Sequence, residues 1–280
     1  SIKKLSNGGW TFISDSNEPF IPMGIEYEPL AIYGDMNWEL IERDLTLIKQ
    51  GGFNTLTVWS IDFNASGGAG RRMSIEEMVW LTDIANQKGL FIQFYLNIDR
   101  FVRLFPRAEL ADGSIHGFDI DYCNPDYKEF IKNYAKRIAM ALYQFNNVST
   151  IVIWEEKIGL NIDYKDDKIF VTTLFCSKWG KKYCEDWLSK KYNNIEVLNT
   201  NWGTKYVNFT EAISSTLIEY FKGIYDTDHR QFDILRLGQE VLIDFTKDFV
   251  DAYKTIDTGM LFQCRNFDLF GPVRAVDPGY

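Results

Sequence analysis

Residues 150–156 form a run, Thr-Ile-Val-Ile-Trp-Glu-Glu, that is apolar until its carboxyl end. A strand with apolar residues at successive positions buries both faces, as strands do in a parallel sheet covered by helices. The run ends in two adjacent carboxylates, Glu155 and Glu156. It therefore predicts a central parallel strand that presents acidic side chains at its carboxyl end.

Four further segments have the composition of strands, and helical patterns separate them. The strands are predicted at 20–29, 53–60, 90–97 and 259–265. Apolar residues recur at helical spacing over about 38–50, 74–89, 124–142, 165–195 and 232–256. Ser74 with Glu77 forms a capping box, and Pro125 follows the capping residue Asn124. This alternation predicts right-handed βαβ units and a parallel sheet.

Two architectures satisfy the alternation, a doubly wound open sheet and a (β/α)₈ barrel. An open nucleotide-binding sheet needs a glycine-rich turn after its first strand, whereas here that strand ends Glu-Tyr-Glu-Pro at 26–29. Barrel active sites gather at the carboxyl ends of successive strands, where this chain carries polar and aromatic residues. These polar and aromatic residues favour the barrel. They are Glu26, Glu28, Trp59, Asp62, Tyr95, Asn97, Trp154, Glu155 and Glu156.

No stretch of the 280 residues reads as a linker, so a single domain over 1–280 is predicted, with an elaborated helical region at 160–256. Five strands are accounted for by Arg265, and 275–280 could at most begin a sixth. Strands 7 and 8 close a barrel, and without them sheet edges stay unpaired. We therefore expect a second polypeptide or a C-terminal segment to complete the barrel.

The net charge and the hydropathy pattern argue against some classes of partner. The net charge of −9 argues against nucleic acid, since phosphate binding needs a basic patch. No apolar run approaches the length of a membrane span, and the N-terminal Ser-Ile-Lys-Lys-Leu lacks the apolar core of a signal peptide. These features favour a cytoplasmic over a membrane location, without fixing the compartment.

The inventory of reactive side chains leaves carboxylates and aromatic rings as the candidates for chemistry. Two histidines and four cysteines without a CxxC pair predict no metal site, and no cofactor motif is present. There is no G-x-S-x-G elbow, and the glycine run at 67–70 lacks the lysine of a phosphate loop. Hydrolysis of a glycosidic bond needs two carboxylates and neither metal nor cofactor, which fits this inventory.

Glu155 and Glu156 are the predicted catalytic residues. Side chains alternate along a strand, so one carboxylate can face the barrel mouth while the other faces the helices. Two carboxylates close together would also raise the pKa of one, as a general acid requires. The alternative is a strand end that meets solvent, with Lys157 as an ion-pair partner.

The other residues at strand ends are predicted substrate contacts. Glu26 and Glu28 suit a substrate-contact or structural role better than a catalytic one. Trp59, Tyr95 and Trp154 either pack in the core or offer a face on which a sugar ring stacks. The predicted substrate-binding set is Glu26, Tyr27, Glu28, Trp59, Asp62, Tyr95, Asn97 and Trp154.

Several stretches resemble a known group of enzymes. They are residues 105–117 with 123–127, residues 186–204, and, more loosely, 24–29 and 54–59. On these stretches the chain is similar to the clan of retaining (β/α)₈ glycoside hydrolases, and most closely to the family 42 β-galactosidases. The resemblance covers most of 20–265 and implies cleavage of β-linked sugars by a retaining mechanism.

The resemblance also implies roles for single residues. In that family strand 4 ends in Asn-Glu, this Glu is the acid/base, and the nucleophile ends strand 7. Glu156 matches the acid/base, while Glu155 stands where Asn is expected; aligning Trp154 with the family's tryptophan would instead leave no acid. Thr57 replaces the family's strand-2 arginine, and its zinc-binding cysteine cluster is absent. These departures leave open a second function, a catalytically inactive barrel subunit that binds carbohydrate.

Overall fold

A computed structural model describes residues 2–4, 10–13, 19–33, 35–60, 72–96, 121–154, 177–221 and 229–264. The chain divides into two compact units. Unit 1 comprises Ser1–Asn97, Ala135–Trp154 and Ala252–Cys264, and unit 2 comprises Ile98–Tyr134, Glu155–Asp251 and Arg265–Tyr280.

Unit 1 opens with a small antiparallel sheet of three strands, β1 (Ile2–Lys4), β2 (Trp10–Ile13) and β3 (Pro19–Phe20). The strand predicted at 20–29 is thus divided, because Phe20 pairs in β3 and the parallel strand begins only at Gly24. Pro22 lies at the division and has no backbone N–H to donate to a ladder. The ring of Phe20 lies 4.6 Å from that of Phe91, centroid to centroid.

Five parallel strands, paired in sequence order, form the main sheet of unit 1. They are β4 (Gly24–Tyr27), β5 (Thr55–Trp59), β6 (Phe91–Tyr95), β7 (Val148–Trp154) and β8 (Phe262–Cys264). Ile151, Val152 and Ile153 are fully buried, so β7 buries both of its faces. The predicted parallel sheet and its central strand are therefore confirmed.

The helices that alternate with these strands are α1 (Pro29–Tyr33), α2 (Trp38–Gln50), α3 (Ile75–Gln87) and α4 (Pro125–Leu142). The predicted capping box of α3 is present, since Ser74 accepts from the Glu77 backbone and Glu77 accepts from that of Ser74. Gly52 and Gly89 follow α2 and α3 with positive φ angles of 89° and 63°, which suit glycine. Local sequence signals therefore set both ends of α3 and the carboxyl end of α2.

In the ranges that the structure describes, four further helices lie in unit 2 except for the last three residues of α8, and they are α5 (Lys178–Tyr192), α6 (Ile195–Trp202), α7 (Phe209–Phe221) and α8 (His229–Lys254). Asn193, with a φ angle of 66°, ends α5, and the side chain of Asn194 caps α6 by accepting from Val197. The patterns at 165–195 and 232–256 anticipate α5 and α8 but neither α6 nor α7. No helix in the described ranges is long and apolar enough to cross a membrane.

A row of acidic side chains on α8 joins it to α5 and α6. Asp233, which is buried, accepts hydrogen bonds from Lys191, Tyr192 and the indole of Trp202. Further along α8, Glu240 accepts from Trp187 at 2.6 Å and Asp244 accepts from Tyr183 at 3.0 Å. Because aromatic donors satisfy these carboxylates, the row holds the helices of unit 2 together.

Candidate functional site

Three of the predicted substrate-binding residues come together at the carboxyl ends of β4, β5 and β6. Register pairs Glu26 with Thr57 and Trp59 with Tyr95, and alternate residues along a strand share a face. Nε1 of Trp59 donates a hydrogen bond to Oε1 of Glu26 at 2.5 Å. The ring of Trp59 also stacks on that of Tyr95, with centroids 4.9 Å apart and planes 29° from parallel. Trp59 is thus held at its edge by a carboxylate and on one face by a buried tyrosine.

This group, Glu26, Trp59 and Tyr95, has the parts of a sugar-binding surface. Trp59 is half-buried, so part of its side chain meets solvent, and Glu26 is exposed. An aromatic face packs against the C–H groups of a sugar, and a carboxylate accepts hydrogen bonds from its hydroxyls. Because the indole is already fixed, little side-chain entropy is lost on binding.

Arg72 is a residue of this edge that the strand-end pattern does not single out. Its Nη1 donates to the backbone oxygen of Leu96 at 2.6 Å and lies 3.3 Å from Oγ of Ser60. The Ser60 hydroxyl donates to the same Leu96 oxygen at 3.2 Å, and the Met73 backbone donates to that of Ser60 at 2.8 Å. The segment before α3 therefore returns to the ends of β5 and β6 and adds a cation there. The adjacent arginines at 71–72, just before the capping box, were the available signal.

A row of polar side chains runs across the same face of the sheet, from β5 through β6 to β8. The hydroxyl of Thr57 donates to Oε1 of Gln93 at 3.4 Å, and Nε2 of Gln93 donates to Oε1 of Gln263 at 3.2 Å. We call these three residues the polar row. Barrel interiors are usually filled by bulky apolar side chains, so glutamines in two predicted strands were a signal that could have indicated it.

Tyr27 does not join this group. It follows Glu26 directly on β4, and successive side chains point to opposite faces of a sheet. Its hydroxyl donates to Oδ2 of Asp44 on α2 at 3.2 Å, which places it among the helices. Burial, and then the neighbouring Asp44 charge, raise the pKa of Tyr27. The role that this placement supports is a link between β4 and α2, in place of the predicted substrate contact.

Asp44 is itself a junction for three donors. Burial would raise the pKa of Asp44, but hydrogen bonds from Tyr33, Arg43 and Tyr27 outweigh it and lower that pKa. The hydrogen bond to Asp44 in turn raises the pKa of Tyr33. The ionised carboxylate thus fixes α1 and α2 beneath β4.

The structure describes only two of the remaining predicted site residues. Glu28 is half-buried and lies between β4 and α1. Trp154 ends β7, with its backbone paired to that of Cys264. The others lie outside the described residues, and they are Asp62, Asn97, Glu155 and Glu156. The two predicted catalytic carboxylates therefore stay predictions, directly after the end of β7.

Comparison with known proteins identifies the fold. No family model and no curated protein matches the sequence. The chain is similar in structure to a β-galactosidase from the haloarchaeon Halorubrum lacusprofundi, with a TM-score of 0.61 and 15% identity over 87% of this chain and 36% of that one. A catalytic mutant of a GH42 β-galactosidase from G. stearothermophilus gives a TM-score of 0.61 and 18% identity, over 89% of this chain and 36% of that one.

An agarase is also similar, with a TM-score of 0.62 and 13% identity over 96% of this chain and 46% of that one. The chain thus spans less than half the length of these three enzymes. At such identities the likeness concerns the fold, and it agrees with the five parallel strands described above. The chain therefore has the fold of part of a (β/α)₈ barrel of the kind found in glycoside hydrolases, as predicted.

Proposed function

We propose that this chain is part of a glycoside hydrolase that acts on β-linked sugars. The observation that carries the proposal is the group of Glu26, Trp59 and Tyr95 at the carboxyl edge of the parallel sheet. In barrels of this kind, that edge is where substrates bind. The solved structures of similar fold include β-galactosidases and agarases, which supports a β-linked sugar as the substrate class.

The proposed chemistry is a retaining reaction with two carboxylates. Glu156 protonates the glycosidic oxygen while a nucleophilic carboxylate attacks the anomeric carbon and forms a glycosyl-enzyme. Glu156 then removes a proton from the water that hydrolyses this intermediate. Glu155, the other predicted catalytic carboxylate, directly precedes Glu156 in the sequence.

We further propose that additional polypeptide, as more of the same chain or as a second chain, pairs with β4 and supplies the nucleophile. In the described part of the chain, β4 is paired on one side, with β5. Beside this edge Ile21 and Met23 are 75% and 56% exposed. An open sheet edge flanked by large apolar side chains favours coverage by another strand.

The test is turnover of nitrophenyl β-galactoside, β-glucoside and β-mannoside by the intact protein. We expect hydrolysis of at least one, and we expect Glu156→Gln to reduce it by about two to four orders of magnitude. A substrate with a better leaving group needs less protonation and should be less affected. The matched control is Glu129→Gln on α4, which changes an exposed carboxylate bonded to Asn133. Equal turnover by wild type and Glu156→Gln would remove Glu156 from the mechanism.

A second candidate is a carbohydrate-binding barrel that does not hydrolyse its ligand. Thr57 favours it, because this residue stands where the resembling family has arginine and its hydroxyl is bonded to Gln93. Calorimetric binding of β-linked disaccharides by the intact protein, without release of monosaccharide, would support this candidate. Release of monosaccharide would exclude it.

A further inference from the structure

We propose that Gln263 binds a hydroxyl group of the sugar and that Gln93 is a positioning residue that sets the orientation of Gln263. The inference rests on the proposed function for the class of its ligand, a carbohydrate. It extends the binding surface from the group of Glu26, Trp59 and Tyr95 across the sheet to β8. No strand-end pattern indicates this extension.

The direction of the hydrogen bonds assigns the orientation of both amides. Thr57 is the donor to Oε1 of Gln93, so the amide nitrogen of Gln93 is the end that reaches Gln263. Oε1 of Gln263 accepts from that nitrogen and is occupied. The amide nitrogen of Gln263 therefore presents two N–H groups away from Gln93. Within the described ranges no acceptor is bonded to that nitrogen, and Gln263 is exposed.

The two glutamines belong to the same face of the sheet as Trp59. Gln93 lies two residues before Tyr95 on β6, and Gln263 is in register with Val152, which pairs with Tyr95. Their amides meet over β7, whose Thr150 and Val152 are buried. Two residues of a strand span about 7 Å, so Thr57 and Gln93 lie roughly that far before Trp59 and Tyr95 along their strands, whereas Gln263 is level with Tyr95, two strands away.

The chemistry at the two ends of this surface is complementary. Gln263 offers N–H donors, which bind hydroxyl oxygens, and Glu26 offers a carboxylate, which binds hydroxyl hydrogens. A polyhydroxylated neutral ring satisfies both. A carboxylated or sulfated ring would place a like charge beside Glu26. The geometry therefore selects neutral sugars.

The experiment is calorimetric titration of the intact Glu156→Gln variant, in which hydrolysis is suppressed, with lactose, cellobiose and β-1,4-mannobiose, followed by further substitutions in that background on the disaccharide that binds most tightly. Gln263→Ala and Gln263→Glu, which keeps the shape but loses the N–H donors, should each raise Kd about 5-fold to 10-fold. Gln93→Ala should raise Kd by a similar factor. When Gln263 is already alanine, Gln93→Ala should raise Kd by no more than about a further 2-fold, because Gln93 acts through Gln263.

The matched control is Gln87→Ala, which removes an exposed amide bonded to Asp83 on α3 and should leave Kd unchanged. Unchanged affinity in both Gln263 variants, or an additive effect of Gln93→Ala, would overturn the inference and leave the proposed function standing. A fall in Tm that accounts for the whole loss of binding would also overturn it, since the row would then be structural. Failure of the intact Glu156→Gln protein to bind any of the three disaccharides would overturn the proposed function itself.

Discussion

The indole nitrogen of Trp59 donates a hydrogen bond to the carboxylate of Glu26 across the pair of parallel strands β4 and β5. This bond and the stacked ring of Tyr95 fix the indole at the carboxyl edge of the sheet. A charged acceptor strengthens such a bond relative to a neutral one. The pair therefore forms a rigid surface for a ring that carries both C–H faces and hydroxyls.

Two substitutions of Trp59 test its stacking face and its hydrogen bond to Glu26 separately. Trp59→Ala removes the stacking face, and we expect the affinity for a bound disaccharide to fall by about tenfold or more. Trp59→Phe keeps an aromatic face but loses the hydrogen bond to Glu26, so its affinity should lie between those of wild type and Trp59→Ala. Calorimetric titration measures both. Trp80→Phe is the control, because Trp80 packs on Trp38 between α2 and α3 and should leave binding unchanged.

Arg72 is expected to stabilise the strand ends. Arg72→Ala removes the guanidinium from the Leu96 carbonyl and should lower the free energy of unfolding by about 1–2 kcal/mol. Arg236→Ala, which removes an exposed pair with Glu240 on α8, should cost less than about 0.5 kcal/mol. Urea denaturation measures the free energy of unfolding of both variants. Equal losses from the two substitutions would show that Arg72 contributes no more than a surface ion pair.

Asp44 gives the stability a defined pH dependence. The folded-state pKa of Asp44 lies below its unfolded value of about 3.9, so its stabilisation is present above that value and is lost as pH falls through the folded-state pKa. Asp44→Asn should therefore destabilise the protein by about 1–3 kcal/mol at pH 7. The difference from wild type should shrink at pH 3. Denaturation at both pH values measures it, and a difference that is constant with pH would contradict the assignment.

Cys123 and Cys184 should be unreactive in the folded protein. Burial, and then the charge of Asp121, raise the pKa of Cys123 to about 12, and burial raises that of Cys184 well above its ordinary value. The thiolate is the reactive form, so both residues should resist iodoacetamide at pH 7.5 until urea is added. Peptide mapping by mass spectrometry reads each site separately. Rapid labelling of Cys123 in the native protein would contradict this placement.

Sequence signals predicted the parts of the fold that depend on neighbouring residues. The run that became β7 and the capping box at Ser74 both follow from residues a few positions apart. Strand periodicity also implied that Glu26 and Tyr27 face opposite sides, although the prediction assigned both to the substrate. The bond between Gln93 and Gln263 joins residues 170 positions apart, and no local pattern encodes such a pairing.

In the helical region of unit 2, too, features set by neighbouring residues were predictable and contacts between distant residues were not. The start of α6 can be predicted from the capping residue Asn194, which lies within one turn of the residue it bonds. The partners of Asp233, in contrast, lie 31 to 42 residues away along the chain. A buried carboxylate needs such partners, but the sequence does not say which residues provide them. The helices were therefore predictable as elements, and the contacts that join them were not.

A crystal structure of the intact Glu156→Gln variant with a β-linked disaccharide bound would show where the sugar binds. We predict that a sugar ring lies against the indole of Trp59, with hydroxyls within hydrogen-bond distance of Glu26 and of the Gln263 amide nitrogen. A disaccharide bound away from the carboxyl edge of the parallel sheet, with Trp59 and Glu26 uncontacted, would contradict the account.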